Sequence, residues 1–296
     1  MLKVFEAFSG IGAQRMALYN LGVKHEVVAI SEIDKFAIKS YEAIWGKTPN
    51  LGDISKLKAE DIPDHDLFTY SFPCTDLSVA GRRKGMEKGS GTASSLLYEC
   101  ERVIHNKKPK YLLLENVKNL VGKKFKTYFD DWLSWLEDEG YTNYWQVLNA
   151  KDYGVPQNRE RVFVVSVLGE DIGYTFPEKV SLQTKLKDVL EKDVEDKYYL
   201  SQELQDRFVE NKNFRNAIKT LGTTKGEENT RTGQRDVVYS DEGVMGTLTS
   251  TDYKQPKQIG VVGKISGWSN DQLSRVYSEE GVSPSLNTMQ GGNRQP

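Results

Sequence analysis

The stretch Lys-Val-Phe-Glu-Ala-Phe-Ser-Gly-Ile-Gly-Ala, residues 3–13, decides the fold that we expect for this chain. An apolar run typical of a β-strand is followed at once by small residues, among them Gly10 and Gly12. Small residues allow a tight turn and a close approach of a ligand to the backbone. The next residues predict a helix, whose first N–H groups attract anions and polar ligands. Alone, the pattern fits a simple tight turn equally well.

Apolar strands and amphipathic helices alternate outward from this stretch, up to about residue 170. Strands are predicted at residues 3–8, 26–31, 66–72, 111–117, 144–148 and 161–168. Helices are predicted at residues 14–21, 35–44, 94–106 and 125–139. This alternation indicates an α/β domain built around a mostly parallel sheet.

The composition changes after about Pro177, where Gly, Thr, Ser, Asn and Gln become frequent. We therefore predict two domains, residues 1–175 and 176–296, the second smaller and mostly β. In this second part the heptapeptide VYSDEGV (238–244) recurs as VYSEEGV (276–282). Two copies are too few for a solenoid. We therefore predict paired β-hairpins, which turn at Asp-Glu-Gly (241–243) in the first copy and at Glu-Glu-Gly (279–281) in the second.

Composition argues against a globally basic nucleic-acid binder, a metalloprotein, a secreted protein and a membrane-spanning protein. The net charge is −2, so contacts to nucleic-acid phosphates must come from a local patch. Two cysteines and three scattered histidines predict no metal site. The sequence contains neither a signal peptide nor a run of about 18 apolar residues. We expect a cytoplasmic protein that needs no metal ion and no membrane.

Two acidic positions, taken together with the glycine turn, indicate an adenosine pocket at one edge of the sheet, although each acid alone fits a solvated loop charge. Glu32 ends the second strand about 20 residues after the glycines, where such folds bind ribose hydroxyls. Ile33 follows it, and Asp53 in Gly-Asp-Ile (52–54) stands where a third strand end is expected and where it can bind an adenine amino group. A nicotinamide dinucleotide and S-adenosylmethionine both fit this pattern.

Three further strand ends carry reactive residue types. Cys74 closes Ser-Phe-Pro-Cys (71–74); most cysteines of this kind are buried and structural, but polar residues follow this one. Glu115 follows four apolar residues, where an acid is costly unless it is paired or used. Arg159 and Arg161 alternate with Glu160 and so face one side of an extended segment.

With these motifs the chain resembles the cytosine-C5 DNA methyltransferases of bacterial and phage restriction-modification systems. The family's motifs occur in its order and spacing across residues 4–168. They are FSGIGA (8–13), SEID (31–34), GDI (52–54), SFPCTDLSVAG (71–81), ENV (115–117) and LNAKDYGVPQNRER (148–161).

The resemblance implies a Rossmann-like S-adenosylmethionine-dependent methyltransferase domain with a target-recognition domain, acting on a flipped-out cytosine of double-stranded DNA at a specific sequence. It implies that Cys74 attacks C6, that Glu115 contacts N3 and the exocyclic amine, and that Arg159 contacts O2, with Arg161 in the same network. The residues implied to bind the cofactor are Phe8, Gly10, Ile11, Gly12, Glu32, Ile33, Asp53 and Ile54. Those implied to bind DNA, on a glycine-rich loop that closes over Cys74, are Ser78, Arg82, Arg83 and Lys84.

The family's two C-terminal motifs are not found in this sequence. We therefore expect a shortened chain, a split enzyme whose second polypeptide supplies those motifs, or a decayed gene. Two alternative functions remain open, a tRNA cytosine-C5 methyltransferase and a non-catalytic DNA-binding subunit.

Overall fold

The computed structural model describes residues 1–73, 93–191, 209–210, 220–223, 237–240, 243–246, 258–260 and 276–278. The chain forms two compact units. The first unit consists of Met1–Leu148 and Glu160–Pro177, and the second of Asn149–Arg159 and Glu178–Pro296. The second unit thus includes a short segment, residues 149–159, that lies within the stretch that the sequence assigns to the first domain.

The regular elements are numbered in chain order. The helices are α1 Ala13–Asn20, α2 Lys35–Trp45, α3 Leu97–Lys107 and α4 Lys126–Asp138. The strands are β1 Leu2–Ala7, β2 His25–Ser31, β3 Leu67–Tyr70, β4 Tyr111–Val117, β5 Tyr141–Asn149, β6 Gln157–Asn158, β7 Glu160–Leu168, β8 Val209–Glu210, β9 Thr220–Thr223, β10 Val237–Ser240, β11 Met245–Gly246, β12 Gln258–Gly260 and β13 Val276–Ser278.

The first unit is built on a six-stranded sheet in the order β2-β1-β3-β4-β7-β5. Strands β2, β1, β3 and β4 are parallel, and β7 runs antiparallel to β4. The predicted α/β domain with a mostly parallel sheet is confirmed. Since parallel strands end at a common edge, the segments that follow β1, β2, β3 and β4 meet at the carboxyl edge of the sheet.

The core that packs on this sheet is mostly apolar, which explains why its strands are rich in hydrophobic residues. The aromatic rings of Phe5, Phe68 and Tyr70, on β1 and β3, stack with centroid distances of 5.4 and 5.0 Å. All three side chains are fully buried, as are Leu112 and Leu114 of β4. None of the helices in the described stretches has both the length and the apolar character needed to cross a bilayer.

The second unit, in its described residues, consists of strands and short turns. Its larger sheet has the order β13-β12-β10-β9-β8, and a separate pair joins β11 to β6. A small core contains Leu186, Tyr239, Met245 and Ile259. Both copies of the internal repeat begin with a strand, β10 and β13.

The hairpin predicted for the first copy of the repeat is wrong. The N–H of Gly243 donates to the carbonyl of Ser240, so the chain does turn there. However, β11 pairs in parallel with β6 and does not fold back on β10. The N–H of Met245 donates to the carbonyl of Pro156, so the backbone of β11 is hydrogen-bonded to the segment that contains β6.

Candidate active site

The turn after β1 is held in left-handed backbone conformations. The φ angles are 54° at Phe8, 55° at Gly10 and 79° at Gly12. A Cβ atom on Gly12 would lie 2.5 Å from Nε1 of Trp45 and 2.7 Å from Cε2 of Tyr41, so only glycine fits there. A Cβ atom on Gly10 would meet no described atom within 4 Å. The turn is thus packed at Gly12 and open at Gly10, where a ligand can lie against the backbone.

Helix α2 supports this turn through Trp45, whose Nε1–H donates to the carbonyl of Ile11 over 3.0 Å. The guanidinium of Arg15, on α1, lies 4.8 Å from the centroid of the Trp45 ring. Arg15 also donates to the hydroxyls of Tyr41 and Thr48, both at 3.1 Å. The start of α1 and the end of α2 are therefore joined by both polar and cation–π contacts.

A buried carboxyl group lies at the base of these contacts. The hydroxyl of Tyr41 donates to Oε2 of Glu6 over 2.6 Å. The Glu6 side chain is fully buried in β1, and its Oε1 has no hydrogen-bond partner within the described residues. Burial raises the pKa of Glu6, and the hydrogen bond from Tyr41 opposes this only in part.

Glu32, at the end of β2, connects this strand to the glycine turn. Its Oε2 accepts the N–H of Gly10 over 2.9 Å. Its Oε1 accepts the N–H groups of Ile33 and Asp34 over 2.8 and 2.9 Å. Because a carboxylate offers about four acceptor sites, Oε2 keeps room for one more donor, such as a ribose hydroxyl.

Asp34, the second acid of the Ser-Glu-Ile-Asp motif (31–34), has a structural role. The carboxylate of Asp34 accepts the N–H groups of Phe36 and Ala37 over 2.8 and 3.0 Å and caps the N-terminus of α2. Between the two acids, Ile33 is 71% exposed, so its apolar side chain is available to cover a flat ring.

Asp53 precedes a short 3₁₀ turn at Ile54–Lys56. Its Oδ1 accepts the N–H and the hydroxyl of Ser55, and Nζ of Lys56 lies 3.5 Å from its Oδ2. The hydrogen bond from the Ser55 hydroxyl is the main cause that lowers the pKa of Asp53. The side chain of Ile54 is buried in the main core, so a cofactor contact from Ile54 must come from its backbone.

The carboxyl ends of β3 and β4 are joined by Asn116, a buried residue of β4. Its Nδ2 donates to the carbonyl of Phe72 over 3.0 Å. The neighbouring Ser71 accepts a hydrogen bond from Gln14 of α1 over 2.8 Å. These two bonds fix the backbone shortly before Cys74. Five predicted site residues lie outside the described residues, namely Cys74, Ser78, Arg82, Arg83 and Lys84.

Glu115 and Arg161 are brought together at the same edge. In the antiparallel register of β4 and β7, Val117 pairs with Arg161 and Glu115 with Phe163. This places the two charged side chains diagonally across the strands, with Nε of Arg161 3.1 Å from Oε1 of Glu115. Both side chains are mostly buried, with exposed fractions of 22% for Glu115 and 16% for Arg161. The structure thus brings these two predicted site residues together as an ion pair, and their roles toward the cytosine stay a prediction.

Arg159 belongs to the segment that is part of the second unit. Its N–H donates to Oδ1 of Asn149 over 3.0 Å, and its carbonyl accepts the N–H of Ala150 over 3.0 Å. The amide of Asn149 also donates to Oδ1 of Asn158 over 2.8 Å. These bonds close residues 149–159 into a loop, and β6 within that loop pairs with β11 of the same unit.

Sequence reasoning missed three residues that shape this site: Trp45, Asn50 and Asn116. Asn116 directly follows Glu115 on an alternating strand, so a polar residue at its buried position was a usable signal. Nothing in the local sequence marks Trp45 or Asn50, since each bonds a backbone group far away in the chain.

Comparison with known proteins agrees with these features. The model of the family described as C-5 cytosine-specific DNA methylase matches residues 2–279. The chain is 42% identical over 253 residues to the type II methyltransferase M2.ScrFI of Lactococcus lactis subsp. cremoris, covering 68% of this chain and 70% of that protein. It is 34% identical to the orphan methyltransferase M.Rho11sI of Bacillus phage rho11s, covering 100% of this chain and 68% of that protein.

Solved structures show the same fold. The Entamoeba histolytica methyltransferase EhMeth superposes with a TM-score of 0.70 at 15% identity, covering 99% of this chain and 90% of that one. The S. pombe Dnmt2 methyltransferase superposes with a TM-score of 0.62 at 18% identity, covering 91% and 78%. The first unit therefore has a Rossmann-like methyltransferase fold.

Proposed function

We propose that this chain, which belongs to the C-5 cytosine-specific DNA methylase family, methylates a flipped-out cytosine of duplex DNA at a specific sequence through a covalent bond from Cys74 to C6. That it is a DNA cytosine-5-methyltransferase follows from the family and its relatives. We further propose that it serves a restriction-modification system, since several relatives are named type II methyltransferases.

The cofactor that we propose is S-adenosylmethionine, which supplies an electrophilic methyl group when it is bound. The residues fit it. The space at Gly10 is open, because a Cβ atom there would meet no described atom within 4 Å. The methionine part would lie against the backbone of Gly10, Ile11 and Gly12, beside the ring of Phe8. Glu32 would hold the ribose hydroxyls.

The adenine would be held by the next segment of the chain. Ile33, with its exposed side chain, would cover one face of the ring. Asp53 would accept a hydrogen bond from the adenine amino group, with Ile54 beside it through its backbone. The lowered pKa of Asp53 keeps its carboxylate ionised and hence an acceptor at neutral pH.

In the chemistry that we propose, the thiolate of Cys74 forms a bond to C6 of the cytosine, which moves electron density to C5. A proton shared between Glu115 and N3 would neutralise the charge that the thiolate brings to the ring, and the exocyclic amine would donate to the same carboxyl group. C5 would then take the methyl group from the sulfonium sulfur of the donor, where the broken S–C bond leaves its electron pair as a neutral thioether. Finally C5 loses its proton to a base, the electron pair left behind expels the Cys74 sulfur from C6, and the shared proton returns to Glu115. Arg161 restrains the Glu115 carboxylate, and Arg159 contacts O2.

The ion pair between Arg161 and Glu115 is the observation that supports this proposal most directly. A carboxylate that emerges from an apolar strand is costly to bury unless it is paired or used. Glu115 lies at the carboxyl edge of the sheet, next to Asn116, whose side chain holds the backbone at Phe72, two residues before Cys74. This position suits a group that binds the reacting ring.

The test is covalent trapping. The purified chain and S-adenosylmethionine are incubated with a pool of DNA duplexes in which 5-fluorocytosine replaces cytosine. That base blocks the final proton loss, so a protein–DNA adduct should accumulate, and Cys74→Ser should form none. A parallel arm with a fluorinated tRNA pool tests the alternative substrate. The proposal would be refuted if adduct forms on tRNA and not on DNA, or if neither substrate gives adduct even after an extract of the host cell is added.

That a second polypeptide supplies the family's two C-terminal motifs stays a prediction from the sequence. It is tested by adding a cell extract of the source host to the trapping reaction. We expect the adduct to form faster with extract than with buffer if a partner chain contributes to the site. Equal yields would speak against a split enzyme.

A further inference from the structure

We propose that Asn50 is a positioning residue for the adenosine half of the cofactor, acting through Glu32 and the Gly52-Asp53 segment. This inference rests on the proposed function of Glu32 and Asp53. Asn50 itself touches neither reacting atoms nor cofactor in this proposal; it sets where the two carboxylates lie.

The geometry that carries the inference is a set of hydrogen bonds made by one side chain. Oδ1 of Asn50 accepts the N–H of Glu32 over 3.1 Å and the N–H of Gly52 over 3.0 Å. Nδ2 of Asn50 donates to the carbonyl of Glu32 over 3.0 Å. Asn50 thus engages both backbone polar groups of Glu32, in the manner of a strand neighbour.

The bonds to Glu32 distinguish this arrangement from an ordinary turn. An Asn side chain that accepts the N–H two residues ahead, as Asn50 does from Gly52, is a common local turn. The bonds to Glu32 join residues that are 18 apart in the sequence, so they serve no local turn. They tie the end of β2 to a separate segment of the chain.

These bonds take the place of a strand that the sequence predicts and the fold lacks. The segment around Asn50 makes only an isolated bridge to Ile30 of β2. The bridge has two backbone bonds, from Ile30 to Pro49 and from Leu51 to Ile30, at 2.9 and 2.8 Å. Beyond the bridge, the Asn50 side chain continues the contact with β2.

One further bond supports the same link from the opposite side. The hydroxyl of Ser31 donates to the carbonyl of Gly52 over 2.6 Å. Gly52 has a φ angle of 79°, so the backbone turns sharply just before Asp53. With Gly52 held through its N–H by Asn50 and through its carbonyl by Ser31, the direction of Asp53 is fixed relative to Glu32.

The predicted consequence is specific to the adenosine half. Without Asn50, Glu32 and Asp53 would sample more positions, and each binding event would have to order them again. For Asn50→Ala we expect the KM for S-adenosylmethionine to rise about tenfold, equivalent to about 1.4 kcal/mol, with kcat changed less than about twofold. The Ki of adenosine as a competitive inhibitor should rise by the same factor.

The experiment compares Asn50→Ala with Asn106→Ala. Asn106 is exposed, and within the described part of the chain its side chain bonds inside α3, to the carbonyl of Arg102. The control should keep wild-type KM and Ki, and both variants should bind duplex DNA as the wild type does. A KM and Ki of Asn50→Ala within twofold of wild type would overturn the inference. So would a loss of DNA binding as large as the loss of cofactor binding, which would mark a general structural defect.

Ser31→Ala provides a second test in case Asn50→Ala does not fold. It should raise the KM in the same direction by a smaller factor, because it removes one bond of the same link; an unchanged KM in that case would count against the proposal. The proposed function fails separately, if the wild-type chain itself binds neither S-adenosylmethionine nor adenosine.

Discussion

Nε of Arg161 lies 3.1 Å from Oε1 of Glu115, on neighbouring antiparallel strands whose ends reach the same edge of the sheet. The pair joins two residues that are far apart in sequence, at a site where both side chains are mostly removed from water. An ion pair in this environment restrains a carboxylate more firmly than one at a solvated surface. If Glu115 binds the cytosine ring, the position of its carboxylate depends on Arg161.

Arg161→Ala should therefore impair the chemical step. We expect kcat for methyl transfer to DNA to fall about 10²-fold, as when one preorganised group is lost from an active site, with the KM for S-adenosylmethionine within about threefold of wild type. Incorporation of a labelled methyl group measures both quantities. The matched control is Lys107→Ala, which breaks the ion pair of 3.1 Å between Lys107 and Asp64 and should leave kcat unchanged. Similar kcat values for the two variants would contradict the role of Arg161.

Substitutions of the two acids of the Ser-Glu-Ile-Asp motif should affect different quantities, cofactor binding for Glu32 and stability for Asp34. Glu32→Gln weakens charge-assisted bonds, each worth about 1.5–3 kcal/mol, so the KM for S-adenosylmethionine should rise about tenfold or more. Asp34→Ala removes the cap of α2 and should lower the free energy of unfolding by about 1 kcal/mol, with little change in the KM. Urea unfolding and initial rates give the two quantities. A KM that rises equally in both variants would show that the motif acts as one structural unit.

Trp45→Phe tests the support of the glycine turn. The substitution keeps an aromatic ring but leaves the partly buried carbonyl of Ile11 without this donor, and a typical hydrogen bond contributes about 0.5–1.5 kcal/mol. We expect S-adenosylmethionine to change the tryptophan fluorescence of the wild type, and we expect Trp45→Phe to bind the cofactor more weakly and to lose that change. Trp145→Phe is the control, because Trp145 is 40% exposed and packs on Phe129 of α4. Retention of the fluorescence change in Trp45→Phe would contradict this assignment.

The sequence predicted the first unit well because its signals are local. Buried parallel strands are recognisable as apolar runs, and the glycines sit where the backbone has φ angles of 55° and 79°. The four helices and six strands whose bounds were predicted are all observed, and they differ from the prediction at their ends. β3, for example, stops at Tyr70 because Asn116 from β4 bonds the carbonyl of Phe72 and replaces the ladder.

The features that the sequence did not predict depend on contacts between residues far apart in the chain. The strand expected near Asp53 is only a bridge, and side chains of Asn50 and Ser31 complete the connection to β2. The hairpin expected in the repeat fails because β11 finds its partner in β6, about 90 residues earlier in the chain. Neither partner choice is encoded in a local pattern of hydrophobic residues.

The buried acid at the base of the site should make stability depend on pH. Burial raises the pKa of Glu6 in the folded chain above its value of 4.5 in the unfolded chain. Between these two pKa values the folded state binds more protons than the unfolded state. The contribution of Glu6 to the free energy of unfolding is therefore fully present below pH 4.5 and is lost as the pH rises through the folded pKa.

The variant Glu6→Gln tests this dependence, because its side chain cannot ionise and still offers an acceptor to the hydroxyl of Tyr41. The free energy of unfolding of Glu6→Gln, relative to wild type, should therefore increase as the pH is raised from 4.5 to neutrality. Urea unfolding at a series of pH values measures this difference, with Glu60→Gln, an exposed acid with no such burial, as the control. A difference that stays constant with pH would mean that Glu6 ionises in the folded chain as it does in the unfolded one.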